Sequence, residues 1–182
     1  LVGSEMCIRD RGTDTFFSPA DLQPEKRFLT KLWNAARFAL PLLEDFSPLP
    51  ASPPLLSADR WSLARADEPL RSAAFQLSNY EAGQARHEID RFFWNDFCDT
   101  YIELAKERLY SAERQGTDAR RAAQYALYHA FFTVLKLYAP FAPHITETIY
   151  LEFFRKFEPE PSLHLTRWPQ TGEPEEQLLL FG

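Results

Sequence analysis

Residues 26–43, KRFLTKLWNAARFALPLL, carry apolar side chains at spacings of three and four. Set on a helix at about 100° per residue, Phe28, Leu29, Leu32, Trp33, Ala36, Ala39, Leu40 and Leu43 fall in one arc, and Arg27, Lys31, Asn34 and Arg37 fall opposite. The pattern predicts an amphipathic helix with one face for a core and one for solvent or for phosphate. Phe38 interrupts the polar arc. A ring flanked by cations and an amide suits stacking on an unpaired base, and equally suits packing on a neighbouring helix.

The same periodicity recurs downstream. Ser18-Pro19-Ala20-Asp21 has the order of a capping box with proline at the first helical position, so the first helix is expected to start there or at Pro24 and to run to about Glu44. Four prolines in the seven positions 48–54 then impose an extended connector. Ser57 opens a second helix through Trp61 and Leu63, in which Pro69 predicts a kink or break near residues 66–68. From Tyr80 to Tyr110 runs the longest candidate, with Ala82, Ala85, Ile89, Phe93, Phe97, Tyr101 and Leu104 on one seam and Phe92, Trp94 and Cys98 widening it. A helix so broadly apolar is expected at the centre of a bundle. A loop around Gly116, a cap at Thr117 or Asp118 and a helix to Pro140 follow, then a fifth helix opening near Pro143. Only SLHLTRW, 162–168, alternates with period two, as a short extended strand or strap would. The fold class is all-α, a bundle of about five helices with a short extended strap near the C-terminus.

Composition narrows the functional classes. The formal net charge is −6, so bulk charge cannot hold this chain on nucleic acid, and any such contact must come from a local patch. Residues 26–43 are that patch, with four basic residues and no acidic one. The 16 phenylalanines predict a core built on large rings, and the 6 glycines argue against a barrel. Cys7 and Cys98 are too far apart in sequence for a ligand pair, which fits a reduced, cytoplasmic protein. No stretch is long and apolar enough to span a membrane, and Glu5, Arg9, Asp10 and Arg11 stand where a signal peptide needs apolar residues. Residues 1–11 lack usable periodicity and are expected to be a non-native or disordered leader; 12–169 form the domain, and 170–182 a truncated tail.

Catalytic and metal-binding signatures are missing from the sequence. His87, His129, His144 and His164 have no His or Cys partner at ligand spacing. No glycine-rich phosphate loop or nucleophile elbow occurs. His144 with Glu147 reads as a helix-start histidine and a capping carboxylate, and Asp96 with Asp99 as partners for salt bridges between helices. No catalytic residue, metal ligand or cofactor is expected in this chain.

A family resemblance rests on several strings in order. These are Phe28 to Phe38 (FLTKLWNAARF), Asp59-Arg60-Trp61, Phe92 to Asp99 (FFWNDFCD) with Tyr101 and 103–106 (ELAK), 139–147 (APFAPHITE) and Ser162 to Pro169 (SLHLTRWP). From about Gly12 to Pro169 the chain resembles the helical anticodon-binding domain of the valyl-tRNA synthetase family, class I aminoacyl-tRNA synthetases, in its archaeal-like branch. Isoleucyl, leucyl, cysteinyl and methionyl synthetases have related bundles. Pro69 and the proline-rich connector depart from the family pattern.

The resemblance implies a fragment of an ATP-dependent ligase. The HIGH-type and KMSKS-type strings are absent, so the chain would start just past a catalytic domain that holds ATP and magnesium. Its partners would be the anticodon arm of tRNA(Val) and its own catalytic domain, with no membrane and no second copy. Asn34 would read base edges, Phe38 would stack, and Arg27, Lys31, Arg37 and Arg60 would neutralise phosphates. Trp33, Trp61, Phe93, Trp94, Phe97 and Tyr101 are assigned to the core. The alternatives are the anticodon-binding bundle of another class I synthetase (isoleucyl, leucyl) and a helical protein-interaction scaffold.

Overall fold

A computed structural model of the chain describes residues 22–48, 52–110 and 117–169. The expected leader, the Ser18–Asp21 capping box, the Gly116 loop and the tail lie outside the described residues. Among the described residues, five helical rods form the bundle. They are α1 (Leu22–Leu42), α2 (Ser57–Ser78), a continuous rod made of α3 (Ala82–Arg91), a π-helical segment (Phe92–Tyr101) and α4 (Ile102–Tyr110), then α5 (Thr117–Tyr138) and α6 (Pro143–Phe153).

α1 buries Phe28, Leu32, Ala35, Ala36, Ala39 and Leu42. That seam is narrower than the apolar arc expected from sequence: Leu29 is 40% exposed and Trp33 38%. They sit on its rim because α1 meets the bundle along one side only. α1 runs parallel to the α3–π–α4 rod. Glu25 in its first turn meets Arg86 of α3, Phe28 meets Phe93, and Phe38 near its end meets Tyr110 of α4.

α2 starts where Asp59 Oδ2 accepts a hydrogen bond from the Leu56 amide, the carboxylate half of a capping box. The expected break at Pro69 does not occur, and α2 is continuous to Ser78. Pro69 removes one backbone hydrogen bond, but Ala66, Pro69, Leu70 and Ala73 are all buried. Packing on that buried side holds the helix through the gap. α2 ends in a Schellman motif: the Glu81 amide donates to Gln76 O and the Tyr80 amide to Leu77 O. Tyr80 takes the left-handed position usually given to glycine, at φ 60°.

The long rod explains a second difference. Ala85, Ile89, Phe93, Phe97, Tyr101, Ala105 and Leu109 are all buried, at a strict interval of four. In an α-helix four residues overshoot a full turn by about 40°, so such a stripe would wind around the rod. The wider i→i+5 turns of Phe92–Tyr101 undershoot and cancel the drift. Thr100 marks the wider turn, its hydroxyl donating to Asn95 O five residues back. Hence Ala105 stays on the seam and Leu104, expected there, is turned out to solvent.

α5 holds the centre. Its buried residues, from Ala122 to Tyr138, cover most of the helix circumference, whereas the long rod is enclosed on two sides. Phe131 stacks on Phe97, Phe132 stacks on both Tyr150 and Phe154, and Tyr138 meets Phe28 at a tilt, so rings run through the core. Pro143 opens α6 at its first turn. Among the described residues there is no strand. The alternating SLHLTRW segment folds as a 3₁₀ turn, Leu163–Leu165, with extended residues at Ser162 and Thr166 on either side. Without a sheet edge to pair with, its polar groups bond elsewhere: the His164 amide donates to Ser162 Oγ and the Leu163 amide to Glu147 Oε2 of α6 at 2.9 Å, so Glu147 ties down this segment rather than capping its own helix.

Candidate nucleic-acid interface

The exposed side of α1 brings together five of the six residues singled out from the sequence. Arg27, Asn34 and Arg37 are exposed, and no described carboxylate lies within ion-pair distance of the two guanidiniums. Lys31 and Phe38 mark the edge of this face, where it meets the long rod. Lys31 Nζ lies 3.0 Å from Asp99 Oδ1 and 4.6 Å from the centre of the Trp94 ring. Phe38 is half-buried, with its centroid 6.1 Å from that of Tyr110 and Lys106 Nζ 5.7 Å away. Arg60 is exposed on α2, and no described contact joins it to α1.

Cations without carboxylates favour an anionic partner, and the adjoining rings suit a flat one. The sequence assigned Trp33 and Trp94 to the core. Trp33 instead lies at the opposite rim of the exposed face, and Trp94 is half-buried beneath Lys31. Trp61, Phe93, Phe97 and Tyr101 are buried as expected. Tyr110 and Lys106 belong to the face and were missed, since their periodicity assigns them only to the outside of α4.

Several other charged groups of the bundle are engaged in holding it together. Asp96 accepts two bonds from Arg65, so both Asp96 and Asp99 form salt bridges between helices, as the sequence suggested. Asp59 is fully buried and takes both terminal nitrogens of Arg108, at 2.7 and 2.8 Å, plus the Tyr101 hydroxyl at 3.0 Å. Burial first, then the Asp59 charge, raises the Tyr101 hydroxyl well above its ordinary pKa. Arg86 is clamped by Asp90 and Glu25 and lies over the Phe28 ring. Burial pushes the Cys98 thiol up to about 12, so it is not a nucleophile at neutral pH. A hollow of about 460 Å³ beyond the end of α1 is lined by Asp45, Phe46, Thr117, Arg120 and Arg121, among others. Its Arg120 is already neutralised by Asp45.

Among the described residues, no three His, Cys, Asp or Glu side chains group as a metal site, and no helix is long and apolar enough to cross a membrane. What remains is a basic, ring-edged helix face on an all-helical bundle. A family model described as the anticodon-binding domain of tRNA ligase matches residues 59–180. The chain belongs to that family. It is 40% identical over 164 residues to a valine–tRNA ligase of Haloarcula marismortui, covering 88% of this chain and 17% of that protein. It is 36% identical over 162 residues to a valine–tRNA ligase of Thermococcus kodakarensis, covering 89% and 18%. A valine–tRNA ligase of Rickettsia felis is 36% identical over 147 residues, covering 76% and 17%. The chain thus spans less than a fifth of the length of these relatives. A crystal structure of a ternary complex, Agrobacterium radiobacter K84 agnB2 LeuRS with tRNA and LeuAMS, superposes with a TM-score of 0.59 at 15% identity, over 97% of this domain and 19% of that chain. At that identity the likeness concerns the fold alone.

Proposed function

We propose that this domain holds the anticodon arm of valine tRNA while the rest of a longer valine–tRNA ligase attaches valine to the tRNA. The observation that carries the reading is the exposed side of α1, where Arg27, Asn34 and Arg37 have no described ion-pair or hydrogen-bond partner, in a chain of net charge −6. Unstacked anticodon bases offer their edges to Asn34, and the loop phosphates meet Arg27, Lys31 and Arg37. Phe38 closes the face toward the long rod. Arg60 lies apart from it and contacts a more distant phosphate. The relatives named valine–tRNA ligase favour valine over isoleucine or leucine tRNA. ATP and magnesium belong to the catalytic portion of such a ligase, and this chain contains neither of its signature strings. The setting is a monomer in the cytoplasm.

An electrophoretic shift tests the reading. Valine tRNA is expected to bind more tightly than the same tRNA with an altered anticodon, and more tightly than isoleucine or leucine tRNA. Equal binding of all four at moderate salt, or unchanged binding by Lys31→Ala and Arg37→Ala, defeats it. A scaffold that binds no RNA would shift none of them.

A further inference from the structure

The ring that faces solvent beside α1 is Tyr110 rather than Phe38. Tyr110 closes α4 and is 63% exposed. Its ring meets that of Phe38 at 68° between planes, so the two form an open corner. Phe38 is half-buried, contacted by Tyr110 and by the Lys106 ammonium, which leaves little of its ring face open. Stacking needs an open ring face with a cation close by. Tyr110 has both. Lys106 stands one helical turn before Tyr110, its ammonium shared between Glu103 and the Phe38 ring, and Arg37 is exposed on α1. The last turn of α4 is also fixed in place, because Arg108 is held by both oxygens of buried Asp59 and Leu109 is buried.

We infer that Tyr110 is the platform on which one unpaired RNA base stacks, and that Phe38 sets the tilt of its ring. This rests on the reading of α1 as an RNA face and moves the stacking role from α1 to α4. Asn34, one turn before Phe38, then lies on the α1 side of the same corner and addresses the edge of a base. Stacking is tolerant of base identity, so Tyr110 contributes affinity and Asn34 contributes selectivity.

The test uses the 182-residue chain and an anticodon stem-loop RNA of valine tRNA, with 2-aminopurine replacing one loop base at a time. One position is expected to lose fluorescence on binding. Tyr110→Ala is expected to abolish that quench and weaken binding about tenfold, within the range of a single base–aromatic stack. Tyr110→Phe retains both, because the ring and not the hydroxyl makes the contact. Tyr110→Leu, which preserves an apolar contact on Phe38 without a flat ring, is expected to behave as the alanine variant. The inference is overturned if Tyr110→Ala keeps quench and affinity while Arg37→Ala still weakens binding, or if Tyr110→Phe falls as far as Tyr110→Ala. If Arg37→Ala, Asn34→Ala and Tyr110→Ala all bind as the unaltered chain does, the RNA reading itself fails.

Discussion

Lys31 is held by Asp99, with 3.0 Å between Nζ and Oδ1, across the seam between α1 and the π-helical segment. An RNA phosphate reaching Lys31 must compete with that carboxylate. Both side chains are substantially exposed, so their pairing is a weak restraint. Asp99→Asn frees the ammonium and removes a repelling charge. We expect it to tighten RNA binding several-fold at low salt and to steepen the salt dependence. Fluorescence anisotropy across a salt series measures both, and weaker binding by the variant would show that Asp99 positions Lys31 rather than masks it.

The salt dependence has an expected size. Four phosphate contacts, from Arg27, Lys31, Arg37 and Arg60, give a log–log slope of about −3 for single-stranded RNA. Each arginine-to-alanine change among them reduces the slope by about 0.7. Because Arg60 lies away from the α1 face, Arg60→Ala tests how far the RNA reaches. An unchanged slope for that variant alone confines the contact to α1.

Asp59 and Arg108 form a buried pair, and removing one partner strands the other in the core. Asp59→Ala is expected to cost about 3–5 kcal/mol, read from urea unfolding. Replacing both by apolar residues of similar volume should recover most of that loss. If the single and double variants are equally unstable, the pair's charge is not what matters at this position.

Much of this was legible in the sequence. Five helices, the long Tyr80–Tyr110 rod and the basic side of α1 followed from spacing, since each buries a stripe whose period the sequence displays. The Asp59–Arg108 pair was not visible, because its members are 49 residues apart in sequence and neither has a local signature. Nor was the exposure of Trp33. Hydrophobicity marks the side of a helix, but the width of the neighbouring seam decides which rim residue is covered. Tyr110 escaped for a related reason: its role comes from a ring on another helix, brought close only by the parallel run of α1 and α4.

Burial lowers the pKa of the His129 imidazole, which is packed against Tyr125 and Tyr128. The unfolded chain therefore binds this proton first as pH falls through about 6.5. The stability contributed by neutral His129 is complete above that pH and is lost progressively below it, down to the lowered folded value. Thermal unfolding should show a midpoint that declines from pH 7 toward pH 5, about the range where histidine titrates, and His129→Gln should flatten the decline. An identical decline in the variant would assign it to other groups.

Tyr80 sits at φ 60° with 91% of its surface exposed. The left-handed conformation costs a residue bearing a Cβ about 1 kcal/mol relative to glycine. Tyr80→Gly should therefore raise stability by about that amount in urea unfolding. A loss instead would mean that the ring makes a contact that stabilises the bundle.

The π-helical segment makes the length of the long rod part of its fold. Between Ala85 and Leu109 every fourth residue faces the core because one π-helical stretch of fixed length is set between two α-helical ones. One residue inserted or deleted there rotates all that follows, parting Arg108 from Asp59 and swinging Tyr110 away from Phe38. The proline-rich stretch after α1 has no such phase to keep. In an alignment of the family, gaps should therefore gather in that connector and be absent from positions 85–109, whatever the divergence of the side chains.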